Sequence, residues 1–133
     1  MHLFALVQGS KVTCLVESEE MPGTASPFDT WVDVTGNTEV AVNDRASFNG
    51  GWTFTKPTNA ELISEINYES LMRLRDIDNR LLLSSAQFKV DLGVADLADV
   101  VLLQTCKQYA IAISDINKQP GYPQTVNWPV APF

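Results

Sequence analysis

Histidine is almost missing from this chain. Of its 133 residues only His2 is one, next to the first methionine. A Ser-His-Asp or Cys-His catalytic group would have to be built on that terminal position. Cysteine is scarce as well. Cys14 and Cys106 lie far apart with no CxxC, so no zinc-type cluster of closely spaced ligands can form. Both are expected to be reduced, mostly buried thiols. Positive charge is in short supply: 9 Lys and Arg stand against 16 Asp and Glu, for a net charge of −7. Phosphate contact supplies most of the affinity of nucleic-acid binders, so neither nucleic acid nor an anionic membrane is an expected partner. No window approaches the roughly 20 apolar residues that a membrane span needs. No apolar run exceeds five residues, the length of Leu3–Val7, and Leu81–Leu83 and Val100–Leu103 are shorter still. Met1 to Gln8 lacks a basic n-region and does not read as a signal peptide, so folding in a cytoplasm is expected. There is no GxxxxGK[ST] phosphate loop, and Gly50-Gly51 reads as a turn before a strand. Two carboxylates suffice for a glycosidase, but no pair among the 16 stands out. The expectation is a protein that is not an enzyme and uses no cofactor or metal.

What the chain does have is a hydrophobic content of 45%, enough for a core in one small domain or two very small units. The pattern changes at Pro57. Before it, short β-like runs alternate with turns. Leu3–Val7 and Lys11–Val16 flank Gly9-Ser10, the signature of a hairpin. Trp31-Val32-Asp33-Val34-Thr35 alternates with the period of a half-buried strand. Val40–Val42 reads as a further short strand or a turn. Ser47–Thr55 reads as turn then strand, with Phe48, Trp52 and Phe54 on one face. Residues 1–57 are therefore expected to form a small antiparallel β domain.

Residues 58–133 read as helical, then extended. Thr58-Asn59-Ala60-Glu61 is a capping-box pattern. At ~100° per residue, Ile63, Ile66, Leu74, Ile77 and Leu81 share one face, and a charged stripe from Glu61 to Arg80 faces away. The stripe reads as a solvated face, with Glu69–Arg73 and Asp76–Arg80 spaced to pair. The first helix is expected over about 59–90. Leu83 falls on its charged face, so either the helix bends near Ser84-Ser85 or Leu83 is exposed. Gly93 is a stop signal and Asp96 an N-cap for a second helix over about 97–117. Leu102, Cys106, Tyr109, Ile113 and Ile116 make an a/d seam on it. A short connection makes the pair an antiparallel hairpin. The seam also leaves a homodimer open. Pro120, Pro123, Pro129 and Pro132 forbid a helix at 119–133, which is expected to form an extended strap pinned by Tyr122, Val126 and Trp128. The fold class expected is α+β: a small N-terminal antiparallel β domain, a helical hairpin and an extended Pro-rich tail. With no catalytic constellation, a protein-binding surface remains. Trp31, Trp52, Phe54 and Leu83 are its candidates from the pattern.

Three stretches of the second half resemble the tail fibre assembly proteins of tailed bacteriophages. Gln87-Phe88-Lys89-Val90-Asp91-Leu92-Gly93-Val94-Ala95 is similar to their inter-helix Q-x-A-V-D-L-G-x-A segment. Lys107-Gln108-Tyr109 with Ile111 and Ile113 resembles their W-K-x-Y-R-x-x-L helix. Val126-Asn127-Trp128-Pro129-Val130-Ala131-Pro132 resembles a terminal [IV]-x-W-P-x-x-P. In the first half, Trp31–Gly36 and Gly51–Phe54 are similar to a V-D-V-T-G…G-W-x-[FY] module of phage tail-associated proteins. The chain departs from the pattern at Cys106, where the family has tryptophan, and at Ala110 and Asp115, where it has arginine. Only Lys107, Tyr109, Trp128 and Pro129 carry over as partner-binding candidates. The resemblance implies a chaperone that binds the C-terminal region of its cognate fibre and promotes folding and trimerisation. That places it in a host bacterial cytoplasm during assembly, or retained on the virion, for a phage, a prophage or a tail-like bacteriocin. On this reading the β half, with loops Glu17–Asp29 and Gly36–Gly50, selects the fibre, and the hairpin is the shared folding or dimerisation part. The alternatives are a structural fibre-tip protein or adhesin kept on the virion, and an unrelated binding module.

Overall fold

A computed structural model describes all residues from Met1 to Phe133. The chain forms a five-stranded antiparallel sheet followed by helices, an α+β arrangement. It divides into two compact units, Met1–Thr58 and Asn59–Phe133.

The first unit holds β1 (His2–Gln8), β2 (Lys11–Ser18), β3 (Thr30–Asp33), β4 (Arg45–Phe48) and β5 (Trp52–Thr55), in sheet order β3-β1-β2-β4-β5. Gly9 and Ser10 both take positive φ, 56° and 65°. That is the primed two-residue turn whose twist suits a tight hairpin. The β1–β2 register shifts between Leu6 and Val7: Cys14 faces Leu6 and Val12 faces Val7. Thr13 is thus an extra residue on β2, a bulge. It brings Val12 and Leu15, three apart, to the same core, where strict alternation would separate them. That core consists of Ala5, Val7, Val12, Val32, Val34, Val40 and Ala46, with Leu3, Leu15, Trp52 and Phe54 packed on it. The segment Val40–Val42 is a turn, and a strand not anticipated from the sequence, β4, takes up Arg45–Phe48. Asp44 anchors the approach to β4. It is buried, takes two hydrogen bonds from Lys56 Nζ at 2.9 Å each, and accepts the Ala41 N–H at 3.0 Å.

The second unit holds α1 (Asn59–Ser84), α2 (Ala86–Asp91) and α3 (Leu97–Ser114), then a 3-10 turn at Ile116–Lys118. The single helix expected over 59–90 is interrupted: Ser85 sits in the left-handed region at φ 55° and separates α1 from α2. Gly93, with φ 70°, ends α2 as a left-handed residue beyond its C-cap Leu92. Asp96 caps α3 by accepting the Asp99 N–H at 2.9 Å, while the Asp99 carboxylate accepts the Asp96 N–H at 3.1 Å. This reciprocal pair satisfies two donors that the first turn would otherwise leave unmade. Ile77 of α1 shares a core with Cys106, Tyr109, Ile113 and Ile116, and Tyr122, Val126, Trp128 and Ala131 pack against it. Residues 119–124 are turns, and 125–133 have no regular structure. Both i,i+4 ion pairs of α1 are present, Arg73–Glu69 at 2.8 Å and Arg80–Asp76 at 3.5 Å.

Candidate protein-binding surface

The first unit has open strand edges. In the sheet order, β3 and β5 each have one neighbour, and both are only four residues long. A third open edge follows from the register. β2 is eight residues long but meets β4 only at Lys11↔Arg45. Beyond it, the Val12 N–H reaches Asp44 O at 2.9 Å and Val12 O accepts the Asn43 N–H at 2.7 Å, and there the contact stops. On β1, Leu3 turns its carbonyl to β3, accepting the Val34 N–H at 2.9 Å. Its neighbour on β2, Glu17, is therefore a non-hydrogen-bonded pair with it. The same holds for Ala5 and Leu15. The main-chain N–H and C=O groups of Leu15 and Glu17 thus point away from β1, along an edge with no backbone partner, where only the Cys14 thiol reaches Leu15 O, at 3.9 Å. A row of unpaired main-chain donors and acceptors is a template for another strand. Acidic Glu17, Glu19 and Glu20 lie on or just past it, with the Met1 ammonium 3.9 Å from Glu19.

The same unit exposes aromatic surface. Phe48 packs on Trp52 at 5.3 Å between ring centroids, and Trp52 stacks on Phe54 at 6.4 Å. Phe28 and Phe48 are exposed beside Trp52, around a groove of about 390 Å³ lined also by Val7, Ser10 and Thr30. Trp52 and Phe54 lie against the core. Trp31 does not join them. Its neighbour Val32 points into that core, so alternation turns Trp31 to the other face of the sheet. There its indole N–H donates to Gly23 O at 3.1 Å. On that face Phe4 is buried, and Asp33 accepts both the hydroxyl and the N–H of Thr35. Those two hydrogen bonds hold the Asp33 carboxyl below the usual carboxylate range.

The candidates of the second unit separate into packing and surface. Tyr109 is buried, and its hydroxyl accepts a hydrogen bond from Arg73 Nη1 at 3.2 Å. The Arg73 guanidinium also lies 4.6 Å from the centroid of the Trp128 ring. Tyr109 and Trp128 are thereby joined through one arginine, and Tyr109 serves the core rather than offering a surface. The Tyr109 contact, followed by that of Glu69, raises the Arg73 pKa further above its already high value. Lys107 is exposed and Pro129 half-buried. Leu83 is 88% exposed, so both readings made of it hold: the helix breaks just after it and its side chain stands in solvent. Sequence reasoning missed Phe28, Leu15 and Glu17. Phe28 is an isolated aromatic in a Ser-Pro-Phe-Asp turn, and an edge is a property of pairing that no local pattern records.

No group of three or more His, Cys, Asp or Glu residues is placed to hold a metal ion. Burial raises the Cys106 thiol pKa, which keeps it protonated and a poor nucleophile. Every buried side-chain nitrogen and oxygen has a hydrogen-bond partner. No helix is long and apolar enough to cross a membrane. No protein-family model, no curated protein and no solved structure matches the chain.

Proposed function

We propose that the protein is a tail fibre assembly chaperone that binds the C-terminal region of a phage tail fibre and promotes its folding and trimerisation. The observation that carries this reading is the open β2 edge at Leu15 and Glu17, in a chain whose motifs resemble that family. Fibre chains that have not yet registered with one another expose strand edges and apolar surface, and such intermediates aggregate. A chaperone for them needs a main-chain template with apolar surface beside it and no catalytic group. The β unit supplies the template and the Phe28–Phe48–Trp52 aromatic surface. Strand addition takes affinity from main-chain hydrogen bonds and specificity from side chains. Glu17, Glu19 and Glu20 favour an incoming strand that carries Lys or Arg. In this reading α1 and α3 form the antiparallel hairpin, and the Pro-rich tail straps it through Trp128 and Phe133. It acts in the bacterial cytoplasm where the fibre is made.

The test is Glu17→Pro. Proline at this position removes the outward N–H and spares the β1–β2 ladder bonds. The side chain it replaces is exposed. Loss of one bond and the added ring should weaken capture of the fibre's C-terminal half by about 10-fold, the effect of roughly 1.4 kcal/mol. The β-sheet circular dichroism should be unchanged. Full capture by a folded Glu17→Pro variant would remove the edge from the mechanism.

A further inference from the structure

A soluble helix normally turns one apolar stripe to its core and a charged face to water. α1 keeps a charged face, with the Asp76–Arg80 pair in solvent, although Tyr68, Leu71, Leu82 and Leu83 on it are also exposed. α3 does not. Its inner face is buried through Leu103, Cys106, Tyr109 and Ile113, and its outer face is apolar again: Leu97 is 78% exposed, Val101 49% and Ile111 62%. The outer positions Leu97, Val101, Gln104, Gln108, Ile111 and Asp115 recur at alternating intervals of four and three residues, the spacing of a coiled-coil seam. This seam lies opposite Cys106 and is distinct from the buried Leu102–Ile116 seam. From Leu97 to Ile111 it carries no ionised side chain.

The order of residues on the seam names the occupant. About a midpoint at position 106 two of its three mirror pairs match, Gln104 with Gln108 and Val101 with Ile111, while the outer pair sets Leu97 against Asp115. We propose that α3 pairs with α3 of a second copy of this chain, antiparallel and about a two-fold axis. Val101 then meets the other copy's Ile111, and Gln104 meets its Gln108. An isologous contact needs this self-complementarity, which an unrelated helix would have no reason to match. Glutamine amides carry both donors and acceptors, so the central pair satisfies itself. Charge agrees. Two chains of net charge −7 repel over most of their surface, and an uncharged seam lets them approach. A shallow groove of about 670 Å³, lined by Leu97, Ala98, Val101, Leu102, Thr105 and Pro132, lies beside Val101 and receives the other copy's Ile111. The seam is short. An 18-residue helix is about 27 Å long, and pairing along one such face buries on the order of 1,000 Å² in total. That is the size of a weak dimer, one that forms in the micromolar range and depends on concentration.

Sedimentation equilibrium of the full chain tests this. The weight-average mass should rise from 14.7 kDa towards twice that value between about 1 and about 300 μM. Val101→Glu should hold it at the monomer mass with unchanged thermal unfolding. Adding Ile111→Lys to Val101→Glu places opposite charges across the two-fold and should restore the dimer. On a Cys14→Ser background, mixing Gln104→Cys with Gln108→Cys protein should give a disulfide-linked dimer in higher yield than either protein alone. A wild-type chain that stays monomeric throughout would overturn the proposal. So would a dimer indifferent to Val101→Glu, or cross-linking no better in the mixture than in the separate proteins.

Discussion

Removing the ammonium of Lys56 should loosen the β unit more than its exposed position suggests. Asp44 is 3% exposed, while the Lys56 side chain is 62% exposed. The ammonium lies 2.9 Å from both Asp44 oxygens and also donates to Glu39 O at 2.6 Å. Asp44 in turn accepts the Val12 N–H through its main-chain carbonyl at 2.9 Å, so the carboxylate holds the turn that joins β2 to β4. Lys56→Met keeps the aliphatic stem and removes the charge. Breaking a fully buried pair costs about 3–5 kcal/mol because one charge is left without a partner. An exposed pair is worth about 0–1 kcal/mol. Asp44 is buried while its partner is exposed, so a loss of about 2 kcal/mol is expected, between those limits. A unit of this size has roughly 3–9 kcal/mol in all. The Val12 amide should lose roughly 30-fold in hydrogen-exchange protection, measured by NMR at fixed pH. Adding Asp44→Asn to Lys56→Met removes the stranded charge and keeps an acceptor for the Ala41 N–H, so it should recover at least half of the loss. Protection in Lys56→Met within a factor of two of wild type would refute the buried-charge argument.

Other consequences are as direct. Ile113 is buried between α1 and α3, and Ile113→Ala should cost about 2–4 kcal/mol in urea unfolding followed by Trp128 fluorescence. Ser85 holds a left-handed conformation that glycine adopts without strain, so Ser85→Gly should stabilise the second unit by about 0.5–1 kcal/mol and Ser85→Val should destabilise it. Asp33 and Asp96 both have folded pKa values below their ordinary ones, Asp33 through Thr35 and Asp96 through the Asp99 N–H. A depressed carboxylate stabilises the fold fully above its unfolded pKa of about 3.9 and loses that contribution as pH falls through the folded value. Asp96→Asn should therefore flatten the acid limb of α3 stability below about pH 4 and leave the alkaline limb unchanged, as read by circular dichroism melts.

Local rules made much of this fold legible. Gly9-Ser10 between two apolar runs specified the hairpin, and Asp96 announced the start of α3. The four-and-three spacing of Leu102, Cys106, Tyr109, Ile113 and Ile116 marked residues that do lie in the helical core, Leu102 at its margin. The failures have physical causes. β4 is four residues long with one buried side chain, so it carries no period to read. Ser85 breaks the long helix although serine has little preference for the left-handed region, and its neighbours on both sides keep the helical pattern. Trp31 and Trp52 looked alike in sequence, but strand alternation and packing put them on opposite faces of the sheet. The β2 edge was not readable at all. It exists because β4 leaves β2 after Val12, a fact of tertiary pairing.

Chaperone action is tested by co-expressing the C-terminal half of the cognate fibre with and without this protein and scoring soluble, SDS-resistant trimer. Trimer is expected only when wild-type protein is present, and less of it with Glu17→Pro. Equal trimer in the presence and absence of the protein would contradict a chaperone role.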